Sequence, residues 1–172
     1  AYFDYAAKAG VESDLTALSR DSLSFAAAQK LYLGGQRDAA AKSLRSYVAS
    51  YPKGYYLTDA LYYLSDCYLL AGDRENAIGT LTRLAGQGTN QYTVAVLEKL
   101  SGMTFEDKRW DEAASAYRRL YDVAPTKTGR EDAMTGYVRA TVAGGDGAKI
   151  AEMAADVCGH DDAGAVALRE AK

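Results

Sequence analysis

Proline is almost missing from this chain. Two occur in 172 residues, Pro52 and Pro125. Proline is the strongest helix breaker, so its scarcity removes a common reason for a helix to stop. Cysteine is equally scarce. Cys67 and Cys158 stand far apart in helical stretches and read as unpaired packing residues, a count that decides no redox compartment. Basic charge is not in excess: 20 Lys and Arg stand against 23 Asp and Glu, a net charge of −3, with no basic stripe. The electrostatic footprint of nucleic-acid binding is therefore absent. No apolar run approaches the roughly 18 residues needed to cross a bilayer, so no membrane insertion is expected of this segment.

Histidine occurs once, in the stretch CGHDD from Cys158 to Asp162. A thiol, an imidazole and two carboxylates are all possible metal ligands. Without a second ligand cluster the stretch reads as a junction, with Gly159 ending one helix and Asp161 or Asp162 capping the next. No further histidine can complete a triad, and neither a Gly-x-Ser-x-Gly turn nor a Walker loop is present. The glycine-rich GGDG at 144–147 follows a helix rather than a strand and reads as a turn. The expectation is no enzyme, no metal site and no cofactor.

Alanine, leucine and tyrosine are what the chain has in quantity. The stretch SYPKGYYLTDALYYL, Ser50 to Leu64, alone holds five of the fourteen tyrosines. The spacing around the two prolines explains its position. AAAKSLRSYVASY precedes Pro52 and EAASAYRRLYDVA precedes Pro125. In each, an alanine (Ala40, Ala113) is followed four residues on by a large side chain (Leu44, Tyr117) and three later by another (Tyr47, Leu120). Ala77, Leu81 and Leu84 keep the same offsets between them, and Ile150, Ala154 and Val157 keep them more weakly after them. The steps from Ala40 to Ala77 to Ala113 to Ile150 are 37, 36 and 37 residues. Such self-similarity predicts an array of repeats.

Each unit is helical by its period. Leu61, Leu64, Ser65 and Tyr68 share one helix face, and the apolar positions resume after Gly72-Asp73. Gly72 suits a helix C-terminus and Asp73 the cap of the next, and Gly145-Asp146 repeats the pair. Thr128 with Glu131 fits a capping box at the start of the fourth unit. The repeats fall at about 21–57, 58–93, 94–130 and 131–167. The helical, methionine-free opening AYFDYAAKAG reads as the start of a fragment of a longer protein, with 1–20 as the tail of a preceding repeat. Ala28, Ser65 and Ser101 hold one position in the first helices, and Ala40, Ala77 and Ala113 hold one in the second. Small side chains there let two helices approach closely. Val138 and Ile150 break that pattern in the fourth unit. Tyr51 and Pro52 end a helix, Gly54 lets the chain reverse, and Tyr51, Tyr55, Tyr56 and Tyr68 read as rings filling the long turn between units.

Leu61-x₂-Leu64-Ser65-x₂-Tyr68 with Ala77-x₃-Leu81, and Leu97-x₂-Leu100-Ser101 with Ala113-x₃-Tyr117 and Pro125, resemble the tetratricopeptide repeat. The 36- to 37-residue step and the YPKGYY junction look like the subset found in bacterial cell-envelope proteins, the outer-membrane assembly lipoproteins and the Tol–Pal coordinating proteins. The resemblance implies an all-α, right-handed solenoid of antiparallel helix pairs with about four repeats. It implies a protein or peptide partner and a periplasmic or outer-membrane-associated setting; the oligomeric state stays open. It also implies that the stripe Asp59, Tyr62, Asp66 and Leu69 faces a concave groove. The matching positions are Phe25, Gln29 and Tyr32 in the first unit, Glu98 and Phe105 in the third, and Arg139 in the fourth. Phe25, Tyr32, Tyr62 and Phe105 are the expected aromatic anchors, with Arg139, Asp66 and Glu98 setting polarity. Three alternatives stand beside partner binding: rings that only cover the inner face or contact a neighbouring repeat outside this fragment, a structural spacer or oligomerisation segment without a groove ligand, and catalysis at His160 or in a further domain.

Overall fold

The computed structural model describes the backbone of residues 2–159 and the side chains of residues 16–159. Among the described residues there are eight helices and no strand: α1 (Tyr2–Leu33), α2 (Arg37–Ser50), α3 (Leu57–Leu70), α4 (Arg74–Ala85), α5 (Thr93–Glu106), α6 (Trp110–Val123), α7 (Lys127–Gly144) and α8 (Gly147–Cys158). The fold is all-α, built of helix pairs. The chain divides into two compact units, Ala1–Leu84 and Ala85–Lys172. His160, Asp161, Asp162 and the end of the fourth repeat lie outside the described residues, whereas Gly159 does cap α8.

Every pair is closed by the same turn. Its left-handed residue is Gly35, Gly72, Lys108 or Gly145, with φ of 74°, 72°, 59° and 71°. These positions step by 37, 36 and 37 residues, so the backbone keeps the period of the side chains. A left-handed residue lets the next amide turn back onto the helix end, as Asp73 N–H does on Tyr68 O at 2.9 Å. Asp73 and Asp146 then accept from the following helix: Asn76 N–H reaches Asp73 Oδ1 at 3.3 Å, and Ala148 N–H reaches Asp146 Oδ1 at 2.9 Å. The fourth unit's first helix departs from the expected cap. Thr126, not Thr128, accepts from Gly129 N–H at 3.0 Å. Pro125 holds the preceding backbone extended, so the helix begins two residues earlier. Glu131 lies 3.7 Å from Lys127 Nζ instead of completing a capping box.

In the first unit α1 runs without a break through Leu33, so no turn sets residues 2–20 apart from the first repeat. Its core includes Leu44, Leu61, Ile78, Leu81 and Leu84 around the small residues Ala28, Ala40, Ser65 and Ala77, each 1% exposed or less. Cys67 joins this core. In the second unit Val96, Leu97 and Leu120 pack beside Ser101 and Ala113. Cys158, expected to pack, is exposed, because it falls at the end of α8, one residue past the buried Val157. The last pair is filled by Met134, Val138, Met153 and Val157, with Ile150 at the margin. Gly136 of α7 is instead the point where the Tyr117 ring of the preceding helix, α6, lies close to the backbone.

Candidate functional site

The tyrosine-rich junction is fixed by a residue that its sequence does not single out. Asp21 on α1 is 6% exposed. Its carboxylate accepts the Tyr47 hydroxyl proton on one oxygen and Tyr55 N–H, at 2.8 Å, on the other. Tyr47 Oη in turn accepts Tyr56 N–H at 3.2 Å. Two helices and the junction thus converge on one carboxylate. Gly54 serves this cluster by lacking a side chain rather than by left-handed backbone. A Cβ there would stand 2.6 Å from Tyr47 Oη and 3.1 Å from Asp21 Oδ2.

The junction delivers Tyr56 flat onto Phe25, with ring centroids 4.6 Å apart and planes within 2°. Phe25 is consequently 5% exposed. Expected as a groove anchor, it is a core ring, because Tyr47, Tyr56 and Tyr63 close around it. Of the four expected packing rings, Tyr51, Tyr56 and Tyr68 are half-buried, while Tyr55 is 76% exposed and touches Tyr56 edge-on.

Along the line where α1 meets α3 the remaining first-unit candidates come together. Tyr32 stacks on Tyr63 at 4.4 Å, and its hydroxyl donates to Asp66 Oδ2 at 2.7 Å. Gln29 Nε2 donates to Tyr63 Oη at 3.3 Å. The Arg37 guanidinium lies 4.4 Å over the Tyr32 ring and donates to Tyr32 O at 2.9 Å. Tyr62, half-buried, stands edge-on to Tyr63 at 6.2 Å, and Leu69 is half-buried farther along α3. Tyr63, which the sequence did not single out, is therefore a ring that α1 grips. The missing signal was a spacing: Asp21–Tyr55, Ser22–Tyr56, Gln29–Tyr63 and Tyr32–Asp66 all pair residues 34 apart. That is about one helical turn short of the repeat step, so the partner of a residue lies one turn before its counterpart in the next unit.

The second unit holds the other three candidates. Phe105 is half-buried, edge-on to Trp110 at 5.2 Å and to Tyr117 at 6.3 Å. Glu98 and Arg139 are exposed. Burial pushes the Tyr117 hydroxyl pKa up, with the Arg139 charge opposing it. Arg118 ties α6 to α8, its Nε 2.5 Å from Asp156 Oδ2. Among the described residues no group of three or more metal-ligating side chains gathers, and no helix is long and apolar enough to cross a membrane.

Burial, and then the bond to Asp66, push the Tyr32 pKa from 10.0 up to about 12. Tyr47 is raised too, by burial and then by Asp21. Below pH 10 both phenols are protonated in folded and unfolded chains alike. Above it the unfolded chain loses protons that the fold retains, so stability must fall as pH rises from 10 through 12. Thermal melts of the parent across that window should show a decline that Tyr32→Phe flattens. Identical pH slopes for the two would refute the assignment.

Residues 23–54 and 59–87 each match the tetratricopeptide repeat family. Among solved structures, the chain is similar to the nearly identical TPR-like repeats of a kinesin-light-chain-type protein from Podosopora anserina, at 16% identity and a TM-score of 0.46. That alignment covers 90% of this chain and 84% of the other. A single-substitution form of the same protein aligns at 15% identity and a TM-score of 0.47, with the same coverage. No curated protein matches the sequence.

Proposed function

We propose that this chain is a protein-binding scaffold that receives a peptide segment of a protein partner on the aromatic face where α1 meets α3. The observation that carries the reading is the Tyr32–Tyr63 stack, hydrogen-bonded to Asp66 and Gln29, with the half-buried Tyr62 beside it. Rings held in one orientation by neighbours lose little freedom on binding, so more of their contact energy reaches the complex. Tyrosine suits the task because its ring is apolar and its hydroxyl stays hydrogen-bonded. The two tetratricopeptide repeats support the same conclusion, since such repeats are in general protein–protein interaction scaffolds that present rigid, extended surfaces. The mechanism has no chemical step. In the second unit Phe105, Glu98 and Arg139 hold the corresponding repeat positions and are proposed as further partner contacts. The cell-envelope setting implied by the YPKGYY junction is proposed on that resemblance alone.

Tyr62→Ala tests the reading. A partner captured with the parent protein should bind the variant more weakly by about 1–3 kcal/mol if Tyr62 is an anchor. The melting temperature should hardly move, because Tyr63 stacks on Tyr32 of α1 and stays in place. Unchanged affinity, or a collapse of stability, would return Tyr62 to a packing role.

A further inference from the structure

A second surface lies at the opposite end of the first unit. Ala17, Leu18, Arg20 and Asp21 of α1 and the junction residues 51–55 enclose an open cleft of about 710 Å³. Leu18 and Tyr55 on its walls are 50% and 76% exposed. From Leu18 to Tyr32 is fourteen residues of helix, about 21 Å along its axis, so this cleft is separate from the aromatic face.

Charge gives the cleft its character. Among the described residues its one acidic side chain, Asp21, is buried and engaged by Tyr47 and Tyr55 N–H. Its two basic side chains, Arg20 and Lys53, are exposed, and among the described residues neither has an ion pair or hydrogen bond. In a chain of net charge −3 this is a local reversal of sign beside exposed apolar walls. Exposed cations next to a concave apolar surface complement a ligand that carries an apolar side chain flanked by carboxylates. The floor is also preorganised: the bonds to Asp21 fix the junction against α1 before any ligand arrives.

We propose that this cleft docks an acidic peptide segment of a partner protein, seating an apolar side chain between Leu18 and Tyr55 while its carboxylates pair with Arg20 and Lys53. The contact is additional to the aromatic face, so one chain can hold two segments at once.

The test uses fluorescein-labelled hexapeptides on the whole chain: one of alternating glutamate and leucine, and its counterpart with lysine in place of glutamate. Fluorescence anisotropy should give at least tenfold tighter binding of the acidic probe. The double variant Arg20→Glu, Lys53→Glu should lose at least tenfold, the milder Arg20→Gln, Lys53→Gln an intermediate amount, and Tyr62→Ala less than twofold. Helical content is checked by circular dichroism, and the glutamine pair decides the matter if the glutamate pair does not fold. Equal binding of the two probes, no binding of either, or indifference to both variants overturns the proposal. So does a parent dimer in sedimentation that the charge-reversed variant dissociates, because the cleft then belongs to a second copy of this chain.

Discussion

Replacing Asp21 by alanine should destabilise the first unit by about 2–4 kcal/mol, since each buried donor left without its acceptor costs about 1–3 kcal/mol. Two donors lose their acceptor together, the Tyr47 hydroxyl and Tyr55 N–H. Water entering from the adjacent cleft restores part of the loss, which keeps the expectation below the full sum. The effect should spread beyond α1, because Tyr47 Oη also holds Tyr56 N–H and Tyr56 is the ring stacked on Phe25. Asp21→Asn keeps only one of the two accepting oxygens and turns an NH2 towards the other donor, so it should still lose a large part of that stability. A thermodynamic cycle with Tyr47→Phe measures the coupling directly. Additive losses in that cycle would mean that Asp21 and Tyr47 act independently and that the junction is held by packing alone.

The second large effect is expected at Gly136, where two rules for glycine oppose each other. Alanine in place of a glycine within a helix ordinarily stabilises by about 0.5–1 kcal/mol. At Gly136 the added Cβ would stand 2.5 Å from Cδ1 and Cε1 of Tyr117 and 2.7 Å from Cζ. Those atoms belong to a rigid ring packed edge-on to Phe105, so the backbones of α6 and α7 must move apart. Overpacking of this kind costs about 1–3 kcal/mol and overrides the gain in helix propensity. Gly136→Ala should therefore be less stable than the parent in denaturant titrations that follow the second unit. Combining it with Tyr117→Leu should recover part of the loss. A Gly136→Ala protein more stable than the parent would show that the ring yields freely and that close approach at this point is not needed.

The repeat was legible because it rests on positions where only small side chains fit. Ala28, Ala40, Ser65, Ala77, Ser101 and Ala113 recur at fixed steps, and all are buried to 1% exposure or less. What was hard to read depended on contacts between helices and the junction that joins them. Asp21 looks like any charged residue on an exposed helix until Tyr47 and Tyr55 are brought to it. Tyr62 and Tyr63 are neighbours in sequence and point about 100° apart on a helix, so a small error in the assumed face exchanges them. Phe25 matched a groove position by counting, but the long junction brings Tyr56 over it. Gly54 was correctly marked as special for the wrong reason, since the need for space left no trace that could be told from a need for unusual backbone. The capping error at Thr128 has the same origin as the junction errors: the exact length of the connection between helix pairs decides which residue meets which.

The 34-residue pairing also bears on how the chain reaches its fold. Hydrogen bonds between different helices join residues close in sequence, from 5 apart at Tyr32–Arg37 to 38 at Arg118–Asp156. Proteins whose contacts are local have low contact order and close only short loops on the way to the native state, which favours rapid folding. Each helix pair can nucleate next to a finished neighbour and needs nothing from the far end of the chain. Asp21 draws Tyr47 and Tyr55 onto α1 within a single repeat, so the junction can be completed before any later helix pair has formed.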